Sequence, residues 1–269
     1  MPLVFGASTF SFMWNESALQ SMRRLRQAGY RSMDVIAVPG HLWPSELNAT
    51  QRQELQSSLE QDDIVIDSMN TPALDLNIAS CIADVRDFSV NTYIDLIRLG
   101  VELNARGIVV VPGRVSALLP PNADDTLNWT AQSVATLSEC AAEFGQTILL
   151  ESHPLTGFAT AKAMCDLVDH IARANVKIAY DVANAEFIGE DQVEAIDLMS
   201  DRLGQTHLSD GTRSAWRHDP PGTGTVPFKP ILEALEKSGF AQTNIVEIIS
   251  GAAADNYIEA AKSLNIEIR

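Results

Sequence analysis

Apolar and polar positions along this chain alternate between two rhythms. Short runs of Val, Ile and Leu closed by Gly, Pro or a charged residue are followed by longer stretches with apolar residues three and four apart. The first kind predicts strands at Leu3–Ala7, Ser32–Val38, Ile64–Ser68, Gly107–Val111, Thr147–Glu151, Lys177–Asp181, Gln205–Leu208 and Ile245–Ile248. The second predicts helices, the first capped by Asn15, carrying Leu19, Met22 and Leu25 on one face and ended by Gly29. Further helices are expected at Ala49–Leu59, Val90–Asn104, from Asp124 or Asp125 to Phe144, and at Ala159–Ala172, Asp191–Asp201, Pro227–Lys237 and Asn256–Leu264. The strand runs lack clean alternation, as expected where both faces of a parallel sheet are covered. One connection stands out: Met69–Val85 is long and rich in Asn, Ser, Asp and Pro. Loops of that length in compact domains usually carry function, and this one is read as part of a substrate cover.

Strand and helix alternate eight times at about 34 residues per repeat, the size of one βα unit of a barrel. No linker or shift in composition interrupts them, so residues 1–269 are read as a single (β/α)8 TIM-barrel domain. The competing open doubly wound sheet would call for a glycine-rich phosphate turn after the first strand, and Gly6-Ala-Ser-Thr-Phe-Ser11 has no such pattern.

Composition narrows the function. Hydrophobic residues make up 46% and charged residues 20% of the chain, the balance of an ordinary globular protein. No apolar run approaches the roughly 18 residues that cross a membrane. Met-Pro-Leu-Val-Phe at the start has neither a basic region nor a cleavage site, so export is not expected. A net charge of −16 disfavours a surface that collects nucleic-acid phosphates. Cys81, Cys140 and Cys165 share no metal-binding spacing; an odd, scattered set fits a reducing cytoplasm.

Candidate chemistry lies at the strand ends. Glu151 closes a buried run, where a bare carboxylate costs several kcal/mol unless it is paired or bound to metal. His153, two residues on, is expected to face the same way. Asp181, His207 and Glu247 end the next three strands at intervals near one βα unit. Such ends converge on the mouth where barrel enzymes do their chemistry. Each of these residues alone would read as a helix cap or a core histidine. Together, three carboxylates and an imidazole would repel strongly without a cation. A mostly oxygen donor set with one nitrogen suits Mn²⁺, Mg²⁺, Co²⁺ or Zn²⁺. Trp14, His41 beside Trp43, Arg114 and His218 also fall in loops at the expected mouth. An aromatic there can stack on the apolar face of a sugar.

The set Glu151, Asp181, His207 and Glu247 resembles the metal site of the xylose isomerase-like sugar isomerase/epimerase superfamily. His207-Leu-Ser-Asp-Gly211 resembles that family's seventh-strand segment, and Pro221-Gly-Thr-Gly-Thr-Val226 its following Pro-Gly-x-Gly turn. The resemblance implies a metal-dependent isomerase or epimerase of carbohydrate metabolism. Its substrate would be a ketose or related polyhydroxy carbonyl compound, with Mn²⁺ the foremost ion. Glu151 and Glu247 would be metal ligands that double as acid and base around an enediolate. Arg213 lies where ketose epimerases place a substrate-binding arginine, and His153 and His41 are further candidates. Those enzymes commonly carry His three residues after the sixth-strand aspartate; here Asn184 stands there, able to hydrogen-bond but unable to supply a proton. A dehydratase of inosose or dehydroshikimate type would use the same metal and the same carbon-acid step. A non-catalytic sugar- or metal-binding homologue is the alternative from another class. The family also implies a homodimer or homotetramer, and a small-molecule sugar or polyol-derived substrate as the only other partner.

Overall fold

A computed structural model describes residues 2–72, 75–251 and 254–266. The barrel strands are β1 (Val4–Ser8), β2 (Ser32–Ile36), β3 (Val65–Asn70), β4 (Gly107–Val110), β5 (Thr147–Glu151), β6 (Val176–Asp181), β7 (Leu203–Leu208) and β10 (Thr243–Val246). They close in the order β1-β10-β7-β6-β5-β4-β3-β2, every pairing parallel, so the chain forms a (β/α)8 TIM barrel as the alternation predicts. Gly6 sits where β1 meets both β2 and β10. A Cβ there would lie 2.7 Å from the Ser32 carbonyl oxygen and 2.8 Å from Ile245 Cδ1, so closure needs a residue without a side chain.

The outer ring comprises α1 (Ala18–Gln27), α2 (Ala49–Gln61), α3 (Ala83–Glu102), α4 (Ala123–Ala142), α5 (Ala161–Ile171), α7 (Gln192–Met199), α8 (Phe228–Ser238) and α9 (Ala254–Ser263). Ile148, Leu150, Ile178 and Tyr180 join the main core. Leu149 belongs instead to a small separate cluster with Val109 and Ala179. Side chains alternate along a strand, so Glu151 shares the face of Leu149 and points into the barrel.

Local differences from the expected elements have identifiable causes. The cap of α1 is Ser17, not Asn15: Ser17 and Gln20 form a reciprocal capping box, while Asn15 lies in the preceding turn. Helix α3 starts at Ala83 rather than Val90 because its polar first turns, with Asp84, Arg86 and Asp87, form a solvent-facing helix surface that reads as loop. The expected cover loop Met69–Val85 is correspondingly shorter, and its residues 73 and 74 lie outside the described residues, as do residues 1 and 267–269 of the expected domain. Among the described residues, a short helix and a hairpin at the mouth had no counterpart in the pattern. Helix α6 (Val182–Ile188) begins directly after Asp181, and an antiparallel hairpin, β8 (Asp210–Thr212) with β9 (Ala215–Asp219), follows β7. Among the described residues no helix is long and apolar enough to cross a membrane.

Candidate metal centre and active site

Strands β5, β6 and β7 and the residue after β10 bring Glu151, Asp181, His207 and Glu247 together at the C-terminal mouth. One ligand atom from each lies within 4.8 Å of those from the others, and all four residues are buried. His207 Nδ1 is 3.0 Å from Glu151 Oε1 and 3.4 Å from Glu247 Oε1. Its Nε2 is 3.0 Å from Gln205 Oε1, which has no hydrogen to offer, so Nε2 carries the proton and Nδ1 is the nitrogen turned to the carboxylates. Asp181 has two roles. Its Oδ1 accepts the Asn184 backbone N–H at 2.7 Å and caps α6, while its Oδ2 is buried and receives no hydrogen bond. The cap interpretation of a strand-end aspartate and the ligand interpretation are thus both available, one per oxygen.

The electrostatics call for positive charge. Burial pushes the Asp181 carboxyl up from 3.8 to about 7 even though His218 pulls it down, with Glu247 and Glu151 adding repulsion. Burial acts the same way on Glu247, but His207 and His218 together hold it well below the usual carboxylate range. Burial opposes charge on both histidines, yet the surrounding carboxylates raise His207 well above its ordinary value and His218 to about 9. A buried oxygen without a hydrogen bond, an imidazole nitrogen facing Glu151 and Glu247, and an oxygen-rich donor set fit a divalent cation, which would replace the Nδ1 proton.

Beside the cluster is a cavity of about 380 Å³ whose lining includes Glu151, His153, Asn184, Trp216, His218 and Glu247. His153 Nδ1 accepts the Leu155 backbone N–H at 3.2 Å, leaving Nε2–H as a donor. Burial lowers its pKa, which favours the neutral ring. Asn184 lines the cavity too, with both ends of its amide held: Nδ2 donates to the Ser152 carbonyl at 3.0 Å, and Oδ1 accepts Trp216 Nε1–H at 2.7 Å. Trp216 in turn meets His153 edge-on at 5.0 Å and stacks on Phe187 at 6.1 Å. The residue that departs from the epimerase pattern therefore holds an aromatic wall in place.

His218, carried on β9, lies 3.5 Å from both Asp181 Oδ2 and Glu247 Oε2. The hairpin that delivers Trp216 and His218 is anchored by Asp210, whose carboxylate accepts backbone N–H groups of Gly211, Gly222 and Val226 at 2.9, 2.8 and 3.1 Å. Trp216 was missed from the sequence; the Trp-Arg-His run between the two recognised motifs was its only signal. Arg114 also lines the cavity, its backbone held on both sides by the Asn77 side chain.

Three candidates are not brought to this cavity. His41 is buried behind β1, with Nδ1 2.6 Å from the Glu16 carbonyl and Nε2 3.1 Å from Thr9 Oγ1. Both ring nitrogens are thereby engaged in joining two mouth loops. Trp14 is 68% exposed and outside the lining. The Arg213 side chain is also largely exposed, 3.9 Å from Glu186 and packed over Gly189.

A family model described as Xylose isomerase-like TIM barrel matches residues 22–266. Among related proteins, an uncharacterized protein of Methanocaldococcus jannaschii is 25% identical over 246 residues, covering 89% of this chain and 82% of the relative. Inosose dehydratase of Geobacillus thermodenitrificans is 27% identical over 150 residues, a match spanning 49% of this chain and 50% of that protein. In fold, D-psicose 3-epimerase of Clostridium cellulolyticum H10 superposes with a TM-score of 0.80 over 98% of this chain and 91% of that one, at 18% identity.

Proposed function

The chain belongs to the xylose isomerase-like TIM-barrel family, and from that premise we propose that it is a metal-dependent sugar isomerase or epimerase of the cytoplasm. Its substrate is a small ketose or related polyhydroxy carbonyl compound. The observation that carries this reading is the convergence of Glu151, Asp181, His207 and Glu247 within 4.8 Å, with Asp181 Oδ2 lacking any hydrogen bond.

Isomerisation and epimerisation both require loss of a proton from the carbon beside a carbonyl, a step opposed chiefly by charge developing on the carbonyl oxygen. A divalent cation held by these four residues, Mn²⁺ foremost, would offset that charge as a Lewis acid. Glu151 and Glu247 supply the proton chemistry: one takes the proton from the C–H and the other returns it, or a single carboxylate does both in an aldose–ketose shift. His153 offers a neutral N–H to a substrate hydroxyl. Trp216 presents an apolar face to the C–H side of the substrate, and its hydrogen bond to Asn184 fixes the plane of that face.

A second reading, a dehydratase, is favoured by the placement of His218. An imidazole in the cavity wall, next to the two carboxylates, can deliver a proton to a departing hydroxyl after the same carbon-acid step; the inosose dehydratase relative agrees with it.

The test is an NMR screen of ketoses, aldoses, inososes and sugar acids in D₂O with Mn²⁺ and measured metal content. Deuterium uptake beside the carbonyl with retained hydroxyls supports the isomerase. A deoxy-keto product supports the dehydratase. Metal binding without exchange on any compound leaves the non-catalytic homologue and sinks both enzymatic readings.

A further inference from the structure

The interior of this barrel is unusual below the metal ligands. Barrels of this kind are commonly filled by layers of Val, Ile and Leu. Here Ser8, Asp34, Ser68, Asn70 and Gln205 are buried in β1, β2, β3 and β7 and hydrogen-bond to one another across the strands. Buried polar groups cost stability unless every one is satisfied, so such a column needs a reason beyond filling space.

We propose that Gln205 is a positioning residue that dictates which nitrogen of His207 faces the three carboxylates, and that Asp67 and Arg106 on the far face of the barrel hold Gln205 in that orientation. The inference rests on the metal-binding reading of the four-residue cluster. Gln205 has an asymmetric amide, and its two ends are read by different partners. Oε1 accepts from His207 Nε2 at 3.0 Å. Nε2 donates to Asp67 Oδ2 at 3.0 Å and to Ser68 Oγ at 2.9 Å. Ser68 gives its own hydrogen to Asp34 Oδ1 at 2.6 Å, so toward Gln205 it acts as an acceptor.

A flipped amide would set NH₂ against the His207 N–H and its oxygen against the Asp67 carboxylate, and both contacts would be repulsive. Asp67 is anchored through its other oxygen, which accepts from Thr243 Oγ1 at 2.8 Å and from Arg106 Nη1 at 3.2 Å. The Arg106 side chain is 63% exposed at the N-terminal end of β4. A charge at the barrel floor thus orients a carboxylate, the carboxylate orients the amide, and the amide holds the His207 Nε2–H so that Nδ1 faces the mouth. A histidine ligand generally needs such a partner on its second nitrogen to fix tautomer and ring angle.

The experiment compares Mn²⁺ binding, by calorimetry, to wild type, Gln205→Met and Asp67→Asn, alongside thermal unfolding of each metal-free protein. Gln205→Met fills the volume of the glutamine without an amide, and Asp67→Asn removes the charge without touching any ligand. The expected result is Mn²⁺ affinity weakened about 10- to 100-fold by Gln205→Met, with Asp67→Asn weaker than wild type in the same direction. Gln205→Glu, which keeps an oxygen acceptor for Nε2–H, should bind more tightly than Gln205→Met. A role confined to packing would lower the melting temperature and leave the affinity of the folded protein unchanged; that outcome overturns the inference while the metal reading stands. If folded wild type binds no Mn²⁺, the metal reading fails and takes the inference with it. If Gln205→Met does not fold, Asp67→Asn decides: unchanged affinity overturns the inference.

Discussion

Replacing Asp181 by Asn should have opposite effects on the metal-free and the metal-loaded protein, and the structure supplies the magnitude. Asn caps helices as well as Asp does, so Oδ1 keeps the Asn184 N–H and α6 is retained. What changes is the buried charge. Folded Asp181 titrates near 7 against an ordinary 3.8, a net effect that already includes the attraction of His218. The folded state therefore holds a proton that the unfolded chain releases between those values, and stability falls as pH rises through that window. Below the unfolded value there is no penalty; above about 7 it is complete, and a rise of that size corresponds to about 4 kcal/mol. Metal-free Asp181→Asn should accordingly be more stable than metal-free wild type at pH 8, by a few kcal/mol, and the two should converge near pH 4.

With Mn²⁺ the order reverses. At a free ion concentration about ten thousand times Kd, wild type gains about 5 kcal/mol, more than the penalty it started with, while the variant gains little. Urea unfolding at several pH values, with EDTA and then with Mn²⁺, measures both effects. A metal-free variant less stable than wild type at pH 8 would refute the description of Asp181 as a desolvated carboxylate awaiting a cation.

Glu151→Gln and Glu247→Gln should each lower bound Mn²⁺ and cut deuterium exchange at the substrate carbon by about 10²- to 10⁴-fold; undiminished exchange in either would remove that residue from the proton transfer. Trp216→Phe leaves Asn184 Oδ1 buried without its donor, so about 1–3 kcal/mol of stability should be lost in urea melts; an unchanged midpoint would mean the hydrogen bond does not hold the wall. His41→Ala removes a ring bonded through both nitrogens and should cost a similar 1–3 kcal/mol, roughly, with kcat of the folded enzyme preserved. A fall in kcat/KM instead would return His41 to the substrate. Gly113→Ala should destabilise by about 3 kcal/mol or more, because its Cβ would come within 2.3 Å of Ala79 Cβ at a φ of +94°; thermal unfolding checks this.

Chain order alone carried the barrel and the four ligand-type residues. Parallel strands place their C-terminal ends at one mouth whatever the loops do, so Glu151, Asp181, His207 and Glu247 needed only the correct strand count and strand ends to be grouped. The interior column was not visible in this way. Asp67, Gln205 and Arg106 are far apart in sequence, and each reads locally as an ordinary polar residue at a strand edge. Their relation exists only once the sheet has closed and set β3 and β7 across the same interior.

The mouth loops mark the same boundary. His41, Trp14 and Arg213 lie in segments that follow the C-terminal ends of strands, but loop conformation decides where a side chain points. His41 turned to two loop partners, while Trp14 and Arg213 turned toward solvent. Trp216 and His218 reached the cavity because β8 and β9 fold back over it, a local antiparallel pairing anchored by the buried Asp210 carboxylate. Strand periodicity is a property of neighbouring residues and can be read from the sequence. The orientation of a loop side chain and the polarity of a buried amide depend on partners brought together from across the fold, so only the tertiary structure decides them.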